Sequence, residues 1–497
     1  MHEYGILSLV PPIIAIILAI VTRQVFVSLL FGIWLGWIVL SDFHILTGSL
    51  NALEALVDVF KSSGNTRTIM FCALVGALII FIQRSGGVEG FIQRVTRFLQ
   101  RYENKKSGSN VVIVQFLAWL TGLLIFVESS ISVLTVGALY RPIFDKLGIS
   151  REKLAYIADS SSAPSSILIP FNGWGAFIMG LLITEGFEHP FKTMMSALVY
   201  NFYPIVALLM VLVIIFFKRD FGPMKKAEER VKETGKIHKE GTHPMISDAL
   251  TEVEIVEGIK PKAYNMVIPI VMMVMLMPIM LAYTGWADAT EQLPNGAFGE
   301  LLFLAIGKGS GSTSVLVAVT ATVLFSMVFY GLQGIMKFRE MVDLTIKGIS
   351  EMMPLALLMM TAFAISALCN KDHLDTGNYV ASLVQGWLSP GLVPFLLFLV
   401  SSFIAFSTGT SWGTFAIMIP IAISMVTSLQ GNEYMAIAAA IGGGVFGDHC
   451  SPISDTTILS SMASATDHVE HVRTQLPYAL VAGGITALFY LVLGVLG

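Results

Sequence analysis

The chain has 497 residues, 55% of them hydrophobic and only 13% charged, with a net charge of −4. Soluble domains carry about a quarter charged residues, so a soluble globular protein is excluded, and the small net charge gives no sign of a nucleic-acid partner. Apolar runs of the roughly 17–25 residues that cross a bilayer recur along nearly the whole chain and predict an all-α polytopic membrane protein.

In chain order, hydropathy predicts spans near 6–22, 25–40, 67–84, 111–140, 154–183, 193–217, 265–284, 313–335, 352–369, 392–428, 433–461 and 474–496. The first lacks a basic leader and a small-residue cleavage site, so it reads as a retained helix. Before 111–140 lies an amphipathic segment with Val88, Phe91, Ile92, Val95, Phe98 and Leu99 at helical spacing. A second, with Val380, Leu383, Val384, Trp387 and Leu388, precedes 392–428. Both patterns suit helices lying in the membrane interface. The hydrophilic stretch 218–262, rich in Lys and Glu, reads as a solvated cytoplasmic linker.

The runs 111–140 and 392–428 are too long for one crossing: 30 residues reach about 45 Å against a core of about 30 Å. Each is interrupted midway, by "FVESS" at 126–130 and by "FSTGTSWG" at 406–413. The loops on both sides of 111–140 are basic, so the positive-inside rule makes that run a re-entrant hairpin with its tip at Glu128–Ser130. Treating 392–428 likewise puts 25 of the 30 Lys and Arg residues on the cytoplasmic side.

The two halves then match. Residues 1–217 form a first repeat and 263–497 a second, each with five transmembrane helices and one re-entrant hairpin. Five crossings per repeat invert the second relative to the first, an arrangement that places a binding site at discontinuous helices near the midplane. Those helices are expected at 154–183 and 433–461, with the glycines of "GGGVFGDHCSPISDTTILSS" (442–461) and Pro452 unwinding the backbone, and with Pro164 set against Pro452.

Four carboxylates, Glu128, Asp159, Asp448 and Asp455, then sit at membrane depth with no Lys or Arg nearby in sequence. Together they oppose insertion by about 10–14 kcal/mol before any pairing, so they call for a cation, a proton or both. Hydroxyls suited to a hard alkali ion surround them: Ser129, Ser130, Ser160, Ser161, Ser162, Ser165 and Ser166 in one half, and Thr408, Thr410, Ser411, Ser451, Ser454, Thr456 and Thr457 in the other. A sodium ion is assigned to Asp448, Ser451, Ser454, Asp455 and Thr408. Any single Ser or Thr has the competing use of bonding back to a helix carbonyl.

His449 suits a proton shuttle or a structural hydrogen bond equally. Asn172 and Trp174 in "FNGWG" suit the substrate path or packing against the hairpin. "DHC" lacks a second ligand pair for zinc, "HVEH" at 468–471 is not HExxH, and "GKGSGSTS" at 307–314 lacks the order of a phosphate loop. Cys72, Cys369 and Cys450 lie in or beside apolar segments without CxxC spacing, which fits neither a disulfide framework nor a metal knuckle. The stretch "VFGD" at 445–448 departs from the GxGD of an intramembrane aspartyl protease, and no soluble catalytic domain is present, so an enzyme is not expected.

At "GDHCSPISDTT" the chain resembles the NhaC family of sodium/proton antiporters, whose signature reads GDxxSPxSDTT. Gly447, Asp448, Ser451, Pro452, Ser454, Asp455, Thr456 and Thr457 match it residue for residue. The resemblance implies a fold of inverted repeats with two hairpins, often homodimeric, and sodium coupling in a cytoplasmic membrane without a cofactor. The leading expectation is a sodium/proton antiporter working by alternating access, with sodium and protons as its cargo. The alternative is a sodium-coupled carrier of an organic solute such as an amino acid or carboxylic acid.

Overall fold

A backbone inside a bilayer must satisfy its own N–H and C=O groups, and runs of Leu, Ile, Val, Met and Ala do so as helices. The computed structural model describes all residues except 1–3, 23, 104–107, 127, 243–258, 295, 371, 377–378, 380–381, 384–388 and 497, and among the described residues every regular element is helical. The first part of the chain forms α1 (Val10–Thr22), α2 (Val25–Leu40), α3 (Ile45–Asp58), α4 (Ser63–Arg84), α5 (Gly87–Glu103), α6 (Gly108–Leu124), α7 (Ser129–Leu147), α8 (Arg151–Leu168), α9 (Gly173–Thr184), α10 (Pro190–Leu198) and α11 (Phe202–Phe217). After α12 (Gly222–Thr234) come α13 (Tyr264–Gln292), α14 (Phe298–Lys308), α15 (Gly311–Leu332), α16 (Phe338–Cys369), α17 (Val393–Thr408), α18 (Ser411–Ser428), α19 (Glu433–Cys450), α20 (Asp455–Ser464) and α21 (His468–Leu496). Nine described helices are long and apolar enough to cross a membrane, or ten if the bent pair α8 and α9 counts as one span.

One group of helices packs around α4 and α16, which cross backbone to backbone: a methyl at Gly76 would lie 2.1 Å from the Gly348 carbonyl oxygen. Small residues permit such crossings where no water drives helices together. The span expected at 352–369 is the end of this long α16, which begins at Phe338 and so takes in most of the residues between the spans expected at 313–335 and 352–369. Four residues of the second amphipathic segment (Val380, Val384, Trp387 and Leu388) lie outside the described residues; Leu383 is exposed.

The other group holds α8, which buries Asp159 and five serines. The Thr121 and Tyr140 hydroxyls are 2.9 Å apart although 19 residues separate them; along one helix that gap would be about 28 Å. So α7 folds back along α6. Likewise a methyl at Gly443 would touch the Phe398 carbonyl, and one at Gly444 the Phe415 ring, so α17 and α18 lie side by side against α19. The backbone between α8 and α9 bends by 40°.

The segment whose composition marks it as solvated is docked in part. Helix α12 buries Met224, Ala227, Glu228 and Val231. Glu228 accepts the Ser150 backbone N–H at 2.8 Å and its hydroxyl at 2.7 Å, at the very start of α8. Beside it, Arg230 pairs with Glu152 at 2.9 Å and Lys153 with Asp220 at 2.8 Å. Composition misses this because charges read as solvated become partnered once α8 supplies their complements.

Arg151 extends the clamp, donating to the Ala465 carbonyl at 3.1 Å and to His238 Nε2 at 3.3 Å. Burial, then the Arg151 charge, hold the pKa of His238 below the ordinary histidine value of 6.5. A lowered folded pKa means that this contact is present above about 6.5 and lost as pH falls through the folded value. Moving from pH 7.5 to 5.5 should therefore speed proteolysis at Lys236 and Lys239, relative to a His238→Gln variant digested in parallel. Equal rates for the two proteins at both pH values would show that His238 does not hold the linker.

Candidate functional site

Helix α8 starts at Ser150, whose hydroxyl caps the Lys153 N–H, and two turns later it buries Asp159 completely. Asp159 Oδ2 accepts from Gln475 Nε2 at 2.7 Å and from the Thr457 hydroxyl at 3.4 Å. His471 Nε2 stands 3.6 Å from the same oxygen and His449 Nε2 4.0 Å. Gln475 donates a second bond, 2.7 Å long, to the His449 carbonyl. His449 is itself held between the Ser160 hydroxyl at 3.0 Å and the Tyr203 hydroxyl at 2.7 Å. Five helices thus converge at one point: α8, α11, α19, α20 and α21.

Asp448 sits one residue before His449 at the end of α19. Its Oδ2 accepts the Ser411 hydroxyl of α18 at 2.5 Å. Ser451 returns its N–H to the Asp448 carbonyl and gives its hydroxyl to the Phe406 carbonyl at 2.8 Å. The Ser454 and Thr456 hydroxyls are 3.1 Å apart, and Asp455 Oδ1 accepts the Thr456 N–H at 2.8 Å. Asp448 is buried, whereas Asp455, the first residue of α20, is exposed. Thr408 is buried with its hydroxyl turned to the Ile404 carbonyl, and Thr410 precedes α18 without capping it by its side chain.

Several buried polar atoms here have no hydrogen-bond partner: Asp448 Oδ1, Asp159 Oδ1, Gln475 Oε1 and His471 Nδ1. Buried polar atoms are almost always bonded, so this concentration marks a place built to receive something. Two unused carboxylate oxygens, hydroxyls and free carbonyls together suit a hard monovalent cation or a proton.

The second discontinuous helix breaks at residues 451–454, around Pro452 as expected, but not at its glycines. Gly442, Gly443, Gly444 and Gly447 are helical, and α19 ends only at Cys450. These glycines serve approach rather than unwinding: a methyl at Gly447 would lie 2.2 Å from the Ser402 carbonyl oxygen. Pro164 also stays inside α8, and that helix yields at residues 169–172 instead. Because proline has no N–H, the Ser160 carbonyl is left without its helical donor, next to Asp159.

The first-half serines are mostly used locally. Ser161 and Ser162 return to the carbonyls of Ile157 and Ala158, and Ser165 to that of Ser162. Ser162 also bonds Ser132 of α7 at 2.8 Å. Glu128 caps α7, accepting the Ile131 N–H at 2.7 Å, and faces Val75, Ile79, Met266 and Ile270. No hydrogen bond among the described residues joins Glu128, Ser129 or Ser130 to Ser160–Ser162. Asn172 caps α9 and ties it to the Phe126 and Ser166 carbonyls. Trp174 packs against Trp412 with 4.7 Å between ring centroids and the rings tilted by 36°.

Sequence reasoning missed His471, Gln475 and Tyr203. The first two carried a signal: they are polar residues four apart, hence on one face, at the head of an otherwise apolar helix. Tyr203 carried none, lying in an apolar run.

The chain matches the Na+/H+ antiporter family over residues 1–189 and 174–495. It belongs to that family. Membership makes this a multi-span membrane secondary transporter and not an enzyme. An uncharacterized protein of Haemophilus influenzae is 32% identical over 98% of this chain and 90% of its own length. The malate-2H(+)/Na(+)-lactate antiporter of Bacillus subtilis is 33% identical over 23% of this chain and 28% of that protein. In fold, this antiporter-family chain is similar to the YdaH transporter of Alcanivorax borkumensis, with a TM-score of 0.51 and 14% identity over 90% of this chain and 89% of that one.

Proposed function

We propose that the protein exchanges sodium for protons across a bacterial cytoplasmic membrane by alternating access. The observation that carries this reading is the buried Asp448 with one oxygen unused, set among Ser411, Ser451 and Ser454. Sodium binds at Asp448, Ser451, Ser454, Asp455 and Thr408, and a proton competes with it for the Asp448 carboxylate. No cofactor takes part. The hairpins α6–α7 and α17–α18, with the helices they embrace, move against the scaffold around α4 and α16; the halves act as inverted repeats, and the protein works as a homodimer. Purified protein in sodium-loaded vesicles should move protons when a sodium gradient is imposed, with no organic solute present. Proton flux that appears only when a carboxylic or amino acid is added would replace this reading with the second one, sodium-coupled exchange of an organic solute. The unpartnered His471 Nδ1 and Gln475 Oε1 are what favour that second reading.

A further inference from the structure

At the end of the molecule far from the linker lies a cavity of about 360 Å³ that the central site does not use. Helices α8 and α9 run in sequence from the linker to Thr184 at its wall. Its polar lining is Asp58, Ser62, Asn65, Thr184 and His373; among the described residues no lysine or arginine lines it, although Lys61 pairs with Asp58 from outside the lining. At about 30 Å³ per water, it has room for a cation with its hydration shell.

The inner wall is apolar and includes Phe363. From this ring a file of aromatic groups leads inward: Phe363 to Phe177 at 6.3 Å, and Phe177 to Trp412 at 5.3 Å between centroids. Trp412 adjoins Ser411, which bonds Asp448. Gly180 makes room for the Phe363 ring, since a methyl there would stand 2.5 Å from it.

We infer that this cavity is the antechamber through which the transported cation reaches Asp448, and that Phe363 is its gate. The inference rests on the reading of Asp448 as the cation site. An aromatic ring is a sound barrier here because it offers a hydrated ion no oxygen ligand, and its rotation opens the path without unfolding a helix.

Labelling with a membrane-impermeant cationic thiosulfonate tests this in sealed vesicles. The three native cysteines are buried, so unmodified protein gives the baseline. Labelled Ala367→Cys should lose sodium-driven proton flux by about tenfold or more, because a fixed positive charge in the antechamber repels the cation. Labelled Asn432→Cys, in a separate cavity of about 560 Å³, should stay within about twofold of its unlabelled rate. Independently of transport, Phe363→Ala should speed labelling of Trp412→Cys several-fold. Full flux in labelled Ala367→Cys, or no change at Trp412→Cys, overturns the inference. If unmodified protein shows no sodium-driven proton flux, it is the functional reading that fails, and labelling at Trp412→Cys still decides on the antechamber.

Discussion

Asp448→Asn should abolish sodium-driven proton exchange while leaving a folded, inserted protein. A unit charge pair about 4 Å apart in an effective dielectric of about 20 is worth about 4 kcal/mol. At about 1.4 kcal/mol per decade, that is a loss of nearly three decades in exchange. The fold should survive because the asparagine carbonyl still accepts the Ser411 hydroxyl that Asp448 accepts now. Losing the charge also removes part of the cost of about 2.5–3.5 kcal/mol that an aspartate at membrane depth imposes on insertion. Sodium-dependent proton flux in vesicles, set against the elution profile of the purified variant, separates the two effects. Wild-type flux would make Asp448 a structural residue only.

Gly447→Ala carries the other large effect, on stability. The added methyl meets the Ser402 carbonyl oxygen at 2.2 Å, the Phe406 nitrogen at 2.7 Å and the Ala405 Cβ at 2.8 Å. Two of these are backbone atoms of α17, which cannot rotate away, so the whole helix must shift. Overpacking of this kind costs about 1–3 kcal/mol and occasionally more, and the upper end applies where backbone is the obstacle. The displaced Phe406 would carry off the carbonyl that accepts from Ser451, so the ion site should loosen too. Gly484→Ala is the control, since nothing lies within 4 Å of a methyl there; it should be neutral or stabilising by about 0.5–1 kcal/mol. Midpoints of thermal unfolding in detergent give the comparison, and a Gly447→Ala variant as stable as Gly484→Ala would show that the crossing can relax.

The helical membrane architecture was legible because hydrocarbon forces it: long apolar runs form the spans, and the polar interruptions at Glu128 and Ser411 fall where helices begin. Asp448 and His449 stood out in the sequence because titratable groups at membrane depth are costly, and the structure buries both. What misled was glycine. In water-soluble helices it signals a weak point, but Gly443, Gly444 and Gly447 sit where α17 and α18 press on α19, and there the missing side chain is a packing surface. The serines after Asp159 misled in the other direction, since Ser161, Ser162 and Ser165 spend their hydroxyls on their own helix. His471 and Gln475 were missed because their role exists only once α21 meets α8, a contact between distant parts of the chain.

That distance has a consequence for how the protein is made. Gln475 follows Asp159 by 316 residues, so at about 5–20 residues per second the carboxylate is synthesised about 15–60 s before its amide partner. His449, Thr457 and His471 arrive in the same late stretch. During that interval α8 holds a lone acidic group in a membrane that disfavours it, and Ser150 at its head also waits for Glu228. The nascent first half is therefore a poor resident of the bilayer until the last helix is born. A ribosome that stops short of α21 leaves behind a chain that quality-control proteases can recognise by its unanswered carboxylate.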